Sequence, residues 1–466
     1  MPESPTPDPD ELNTSEIKRS SRWRWPKRLV LSVSIALIVY FTWYYGNREW
    51  TKRQGERALA EARAEAERDD PDWTWERLNA ARPRPPADKN SADTIRRVRD
   101  LQRATRTGPE QKAPDVTWRA PNVRVPNDAI SSAELYLAWS NDALTVARSL
   151  KDRPTGFREV QLSPDVLMQA GSTGADTHAV AELLRWDAVI AANSNDADRL
   201  TTALRALLNA SRSVGDDPFM ISQLQRFSVR NFAAGSVERA LAQVTAREPD
   251  LAALQTAWAA DAEEPLLLYA LRGERPLSDY LLQNSDASNP FKPHEIARAR
   301  SVGLRWWGRA ITAAKLPTHR QLEAIRALRA PSDEITERVS EVLFPSVQIT
   351  AEGSVRGVAV ARALVVGIAC ERFRIKNNRW PNDLSELVPA FLSAVPSDAF
   401  TGEPMRFAKS NTGVVIYSGS GTAGDAASWF AEPSPAPRMS ARFRLWNPDQ
   451  RRQAPPPAEQ DPGADP

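Results

Sequence analysis

Cysteine and histidine are both scarce in this chain of 466 residues. The single cysteine, Cys370, excludes an intramolecular disulfide, and its apolar surroundings predict a buried structural thiol rather than a nucleophile. The three histidines, His178, His294 and His319, stand far apart, with no His-Glu-x-x-His motif and no cysteine pair nearby. Because a zinc site needs such ligands at close spacing, we predict no metal site.

An excess of one charge is also missing. The 61 Lys and Arg residues nearly balance the 59 Asp and Glu residues, which leaves a net charge of +2. A nucleic-acid-binding protein usually presents a broad basic face. The composition therefore argues against nucleic acid as a partner.

Glycine motifs for nucleotides are incomplete. Gly419, Gly421 and Gly424 spell Gly-x-Gly-x-x-Gly, but a short, Pro-rich segment follows where a dinucleotide site needs a helix. We therefore predict a glycine-rich turn, with no nucleotide and no cofactor. Asp425 is the only acidic residue of the loop, whereas calcium takes six or more oxygen ligands, and the pattern leaves open whether the loop binds an ion. No Gly-x-Ser-x-Gly motif is present, so we assign no catalytic, cofactor-binding or metal-binding residue.

One long uncharged run is present, at 29–45, with basic residues on both sides and aromatic residues at both ends. Its length and its aromatic ends predict a transmembrane helix that stays uncleaved, because small residues are missing where a signal peptide would be cut. Residues 1–28 are polar and Pro-rich and are expected to be a disordered cytoplasmic tail. More basic residues precede the span than follow it, which predicts that the bulk of the chain lies outside the cytoplasm.

Residues 46–128 are predicted to be a stalk and a Pro-rich linker. The first part is a charged, Ala-rich helix without a wide apolar stripe, so we expect it to be solvated. Proline at high density then predicts an irregular segment as far as residue 126. Three aromatic residues are expected to hold this segment on a neighbouring surface: Trp73, Trp75 and Trp118.

The rest of the chain predicts a mainly α protein. Residues 129–345 show repeated amphipathic patterns with short connections, typical of an irregular array of helical hairpins. A small α+β module with a β-hairpin is expected at 346–447, and a disordered tail at 448–466. The apolar run 357–370 is short and contains Arg362, which favours a buried core helix over a second membrane span.

The stretch 377–421 has the densest local pattern. Pro381 suits the first turn of a short helix, whose apolar stripe is expected to face the preceding long helix. The stripe consists of Leu384, Leu387, Val388, Phe391 and Leu392. Pro396 is expected to stop this helix, and Asp398 to begin a turn that ends at Gly402. Two short strands with a five-residue connection then predict the hairpin.

This order of elements resembles the globular part of the major pseudopilins of type II secretion. The matching residues are Trp380, Pro381, Leu384, Leu387, Pro396, Asp398, Phe400, Gly402, Pro404, Tyr417 and Ser418. The likeness departs from that pattern at Ala399, where proline is usual, and the prepilin-type leader is missing. The resemblance implies that these residues are a structural signature rather than an active site.

The remainder is similar to a group of single-span bacterial membrane proteins to which no activity is attached. The stretches that match are DPDWTWERLNAARPRPPADKNSADTIRRV, SVGDDPFMISQLQR and ALRGER. The resemblance implies a single-pass protein of the bacterial inner membrane. We expect a non-catalytic scaffold or interaction protein with an unidentified protein partner, linked to a cell-surface or secretion assembly. The alternative is a hydrolase or ligand-binding enzyme with its site in a cleft between the helical domain and the C-terminal module.

Overall fold

The apolar segment near the N-terminus continues without a break into the predicted stalk. The computed structural model describes residues 24–105, 113–114, 120–163, 165–284, 291–328, 334–419, 429–430 and 440–455. Helix α1 runs from Arg24 to Asp69, and its apolar part is long enough to cross a membrane and is fully exposed. Leu59, Ala62 and Ala66 further along are buried, because they pack against Leu304. The prediction of a solvated stalk is therefore wrong for this second half.

The segment after α1 is more regular than predicted. Helix α2 spans Trp75–Ala81 and α3 spans Ser91–Ala104, so the expectation of an irregular linker is wrong there. Asn90 caps α3 by accepting a hydrogen bond from the Ala92 N–H at 3.1 Å. Trp73 is buried and Trp75 is half-buried, as expected for residues that hold the segment in place. Trp118 lies outside the described residues.

Nine helices follow in the described part of the predicted helical array. They are α4 Asn127–Trp139, α5 Asn141–Arg148, α6 Val166–Asn193, α7 Ala197–Arg212, α8 Met220–Leu241, α9 Glu248–Ala262, α10 Leu266–Asn284, α11 Ile296–Ala314 and α12 Thr318–Arg326. The apolar faces of α4 to α9 share one core, in which Trp186 and Trp258 are fully buried. Helices α10 to α12 contribute to a second core, which contains Trp306 and Trp307. The mainly helical prediction is confirmed.

Helix α13, Glu334–Asn377, joins this array to the C-terminal part. The predicted domain boundary at 345/346 falls inside it, and one apolar core contains Leu184, Leu364 and Leu445 from both sides of that boundary. The most apolar part of α13 is 78% buried, in agreement with a core helix. The Arg362 guanidinium leaves that core and donates to the Ser397 carbonyl at 3.1 Å.

The C-terminal sheet has three antiparallel strands rather than the two of a hairpin. Strands β1 Arg406–Lys409 and β2 Gly413–Gly419 form the predicted hairpin. Strand β3, Ser440–Trp446, pairs with the other edge of β2 and was not predicted. It lies against α13 so closely that a Cβ at Gly367 would come within 2.3 Å of the Phe443 ring.

Two local predictions need correction. The short helix after Pro381 is a single 3-10 turn, Leu384–Leu387, because Pro389 cannot continue a helix. Val388 is therefore 36% exposed and does not belong to the apolar stripe. The predicted tail begins with ordered contacts, since the Arg451 guanidinium is buried and binds the Glu371 carboxylate at 2.9 Å. Residues 456–466 lie outside the described residues.

Candidate functional site

The signature residues of the C-terminal module meet at the Asp398 carboxylate. Its Oδ1 accepts hydrogen bonds from the Phe400 N–H at 2.8 Å and the Ser418 hydroxyl at 2.5 Å, and its Oδ2 accepts one from the Gly419 N–H at 2.9 Å. The Asp398 carbonyl accepts from the Gly402 N–H at 2.8 Å. Asp398 is 1% exposed. It therefore fastens the turn to the end of β2, which is a structural use of a buried carboxylate.

The remaining signature residues also pack or close turns. The Trp380 indole donates to the Asn447 side chain at 2.8 Å, and the Tyr417 ring meets Trp429 edge to face at 5.1 Å. Buried signature residues with apolar side chains are Pro381, Leu384 and Leu387. That these residues are a fold signature rather than an active site stays a prediction.

The turn 398–402 also contacts the helical array. The Pro396 carbonyl accepts from the Met405 N–H at 3.0 Å, which closes the turn from the other side. Gly402 has a φ of +80°, a conformation that favours glycine. A Cβ at Gly402 would come within 3.0 Å of the His319 ring of α12.

The other residues singled out in the sequence have less to offer chemically. Burial raises the pKa of the Cys370 thiol, as expected for a structural cysteine. Gly419 ends β2, whereas Gly421, Gly424 and Asp425 lie outside the described residues. Within the described ranges, no group of three or more His, Cys, Asp or Glu side chains could hold a metal ion.

A different part of the chain brings polar groups together. The three stretches 70–98, 213–226 and 270–275, far apart in the sequence, converge on the loop between α7 and α8. The Trp75 ring stacks on Phe219 with centroids 5.5 Å apart. The three stretches therefore lie together in the fold.

Ion pairs tie the first stretch to the other two. The Arg82 guanidinium binds the Asp216 carboxylate at 3.1 Å, and the Arg82 side chain is 2% exposed. Arg275 binds Asp70 at 2.6 Å and is equally buried. Because a buried ion pair is costly to break, the first pair fixes the loop against the end of α2, and the second fixes α10 against the end of α1.

Backbone contacts join the loop to α10. The Gly273 N–H donates to the Pro218 carbonyl at 2.9 Å, and a Cβ at Gly273 would come within 2.3 Å of that oxygen. The Glu274 carboxylate accepts from the Met220 N–H, the first of α8, at 2.8 Å. We call this region the polar centre and define it by Arg82, Arg158, Asp216, Asp217 and Glu274.

Two carboxyl groups of the polar centre have raised pKa values. Burial raises the pKa of Asp217, and this effect exceeds the opposing influence of Arg158 and Arg82. Burial also raises the pKa of Glu274 to about 7, with Asp217 adding to the rise and the Met220 N–H opposing it. The polar centre therefore has an acid that titrates near neutral pH.

A second buried cluster of charged residues lies beneath the same loop. In this cluster the arginines, rather than burial, decide the direction of the carboxyl pKa shift. The Asp261 carboxylate forms ion pairs with Arg212 at 3.2 Å, Arg226 at 3.2 Å and Arg230 at 2.5 Å. Burial alone would raise the pKa of Asp261, but the three arginines lower it to about 2. Arg226 also donates to the Gly215 carbonyl at 3.0 Å, so this cluster anchors the loop from below.

A polar pocket of about 240 Å³ opens on the polar centre. It lies between α3, the segment 158–160 and α6, with Arg158 and Asp217 among its lining residues. Asp176 also lines it, and its carboxylate is held by Arg99 at 2.9 Å and Arg103 at 2.9 Å. These ion pairs therefore hold α3 and α6 together at the wall of the pocket.

Two larger cavities are less specific. One of about 370 Å³ lies between α6 and α8 and is mostly apolar, with Val189 and Phe232 on its walls. Another of about 630 Å³ lies between α1 and α11. Neither these two nor the polar pocket is lined by a residue of 346–447, where the alternative function placed one wall of its cleft.

Comparisons with protein-family models, curated proteins and solved structures find no match to this chain. The polar pocket was not predicted from the sequence. Arg158 and Asp217 are 59 positions apart in loops, where no periodic pattern marks a residue as buried.

Proposed function

We propose that the chain is a membrane-anchored, exported scaffold that binds a protein partner and has no catalytic activity of its own. The observation that carries this proposal is the continuity of α1 from the apolar segment to the folded body. A Gly/Ser-rich linker would let the body move freely relative to the membrane, whereas a helical connection is a stiff spacer. A rigid connection instead fixes the height and orientation of the body, which suits a structural element.

The attachment of α1 to α11 supports such a fixed geometry. A Cβ at Gly55 would lie 3.0 Å from the Arg298 backbone nitrogen, so the two helices are in close contact there. Gly55 lies ten positions after Tyr45, which corresponds to about 15 Å along a helix. Arg305 of α11 adds an ion pair to Glu65 at 2.8 Å. The body thus begins close to the predicted membrane surface.

The C-terminal module supports the proposed link to a cell-surface or secretion assembly. Its long helix, turn and hairpin follow the order expected from the pseudopilin resemblance, with Asp398 joining the turn to β2. The third strand β3 then attaches this module to the helical array. In this proposal the bacterial inner membrane holds the anchor, and the body lies outside the cytoplasm.

Capture of the full chain from detergent-solubilised membranes tests the proposal. We expect a stable protein partner that is recovered in constant ratio to the chain. Ala62→Arg, at a buried position of α1, should detach the body from the anchor and reduce recovery of the partner while the chain stays in the membrane. Ala60→Arg, on the exposed face of the same turn, is the matched control and should recover the partner normally.

Two results would contradict the proposal. One is a chain that is always recovered alone and that turns over substrates in a broad hydrolase screen. The other concerns orientation: a reporter that is active only in the cytoplasm, fused after Pro466, should be silent. Strong activity of that reporter would place the body in the cytoplasm.

A further inference from the structure

The polar pocket contains two buried groups of opposite charge that the proposed scaffold role does not use. Arg158 is 8% exposed and Asp217 is 2% exposed, and both line the cavity of about 240 Å³. Among the described residues, no ion pair joins the Arg158 guanidinium to any carboxylate. Burial lowers the pKa of Arg158 more than the nearby Asp217 carboxyl raises it, so a second negative group in the pocket would stabilise the guanidinium.

The hydrogen bonds of Arg158 are incomplete. Its Nη2 donates to the Thr177 hydroxyl at 2.6 Å, whereas its Nη1 has no acceptor among the described residues. The nearby Asp176 carboxylate is already bound by Arg99 and Arg103. A guanidinium in this state is suited to receive a carboxylate from outside, because paired N–H groups match the two oxygens.

Asp217 offers the opposite chemistry. Its Oδ1 accepts a long hydrogen bond of 3.4 Å from the Phe219 N–H, and the Ser222 hydroxyl lies beside the same carboxyl group. Burial raises the pKa of Asp217, and an ammonium group in the pocket would favour its ionised form while donating up to three hydrogen bonds. The lining also includes buried apolar residues, among them Ile95, Val166 and Ala170, and the charged residues Arg96 and Glu159.

We propose that this pocket binds a small zwitterion, a ligand with one carboxylate for Arg158, one ammonium group for Asp217 and a short apolar part, as in a free α-amino acid. The volume of about 240 Å³ is below the range of about 300–1,000 Å³ typical of drug-sized ligands, which limits the ligand to this size. The proposal goes beyond the scaffold function and does not depend on it.

Calorimetry on the full chain in detergent micelles tests the proposal with three probes. L-alanine carries both charged groups, whereas acetate and ethylamine carry one each. We expect L-alanine, or another member of a panel of free amino acids, to bind at least about tenfold more tightly than acetate or ethylamine. Each of these two probes lacks one charged group and therefore loses a charge-assisted hydrogen bond. Absence of binding by every amino acid at millimolar concentration would overturn the proposal, as would equal binding of acetate.

Matched variants locate the site without disturbing the core. Thr173 lines the pocket at its mouth, and Ser172 is its exposed neighbour that does not; both hydroxyls donate to the Gln169 carbonyl. Thr173→Tyr should block the pocket and abolish binding, whereas Ser172→Tyr should leave it unchanged. Arg158→Gln should also abolish binding, with the unfolding midpoint recorded to show that the variant is folded. Binding that survives Thr173→Tyr would place the ligand elsewhere and refute the site.

Discussion

The Arg444 side chain of β3 and the Glu238 side chain of α8 form a buried, bidentate ion pair. Arg444 Nε and Nη2 donate to the two Glu238 oxygens at 2.9 Å each, and the Arg444 backbone N–H donates to Oε1 at the same distance. Their side chains are 0% and 5% exposed. This contact joins the unpredicted third strand to the helical array, and it makes the C-terminal module a continuation of the body.

Breaking this pair should destabilise the whole chain. Glu238→Gln removes the negative charge that both prongs of the buried Arg444 guanidinium contact, so we expect the free energy of unfolding to fall by about 3–5 kcal/mol. Urea unfolding in detergent measures it. Asp152→Asn, in the exposed pair with Arg205, is the control and should change the free energy by less than about 1 kcal/mol. Equal effects of the two variants would contradict a structural role for the buried pair.

The apolar stripe that follows Pro381 in the C-terminal module provides a second prediction. Leu387 is fully buried, whereas the next residue, Val388, is 36% exposed. Leu387→Ala should lower the free energy of unfolding by about 2–5 kcal/mol, because it removes apolar contacts and leaves a cavity. Val388→Ala should change it by less than about 0.5 kcal/mol. Thermal unfolding of both variants compares them, and a larger effect at Val388 would mean that the stripe is misplaced.

The boundary of the soluble body is a third prediction. A fragment that begins near Asn127 removes α3, whose Ile95 and Val98 are buried in the main core. We expect this fragment to unfold or aggregate. A fragment that begins at Asn47 keeps α3 and the packed half of α1 and should be soluble without detergent, as judged by gel filtration. A well-folded fragment from Asn127 would show that α3 is dispensable.

The helical array and the hairpin could be predicted because their signals are local. Leu183, Leu184 and Ala188 recur at helical spacing and are all buried. Two elements that were not predicted, α3 and β3, also have local signals in the sequence. Ala92, Ile95 and Val98 recur every three residues behind the capping Asn90, but the high density of proline just before them favoured an irregular segment.

Strand β3 was missed for the same reason. Ala441, Phe443 and Leu445 alternate with polar residues in a period of two, directly after a Pro-rich segment. The polar centre had no comparable signal, because its members become neighbours only through tertiary packing. Nothing within 20 residues of Asp217 indicates that Arg158 and Glu274 lie beside it in the fold.

The raised pKa of Glu274 predicts a specific dependence of stability on pH. The folded chain binds the Glu274 proton up to about pH 7, whereas the unfolded chain releases it near 4.5. Between these values the folded state holds more protons, so this group lowers the free energy of unfolding as the pH rises. Its contribution becomes constant above the folded pKa. The full difference corresponds to about 3 kcal/mol.

Glu274→Gln removes this titration and keeps a side-chain oxygen that can accept from the Met220 N–H. We expect the variant to match the native chain near pH 4 and to be more stable by up to about 3 kcal/mol at pH 8. Urea unfolding at a series of pH values measures the difference between the two curves. Glu323→Gln, on the exposed face of α12, is the control and should follow the native curve throughout. If Glu274→Gln instead lost stability as the pH rose above 7, the native side chain would be ionised and paired there, and the polar centre would have to be an ion-pair network rather than a site with a protonated acid.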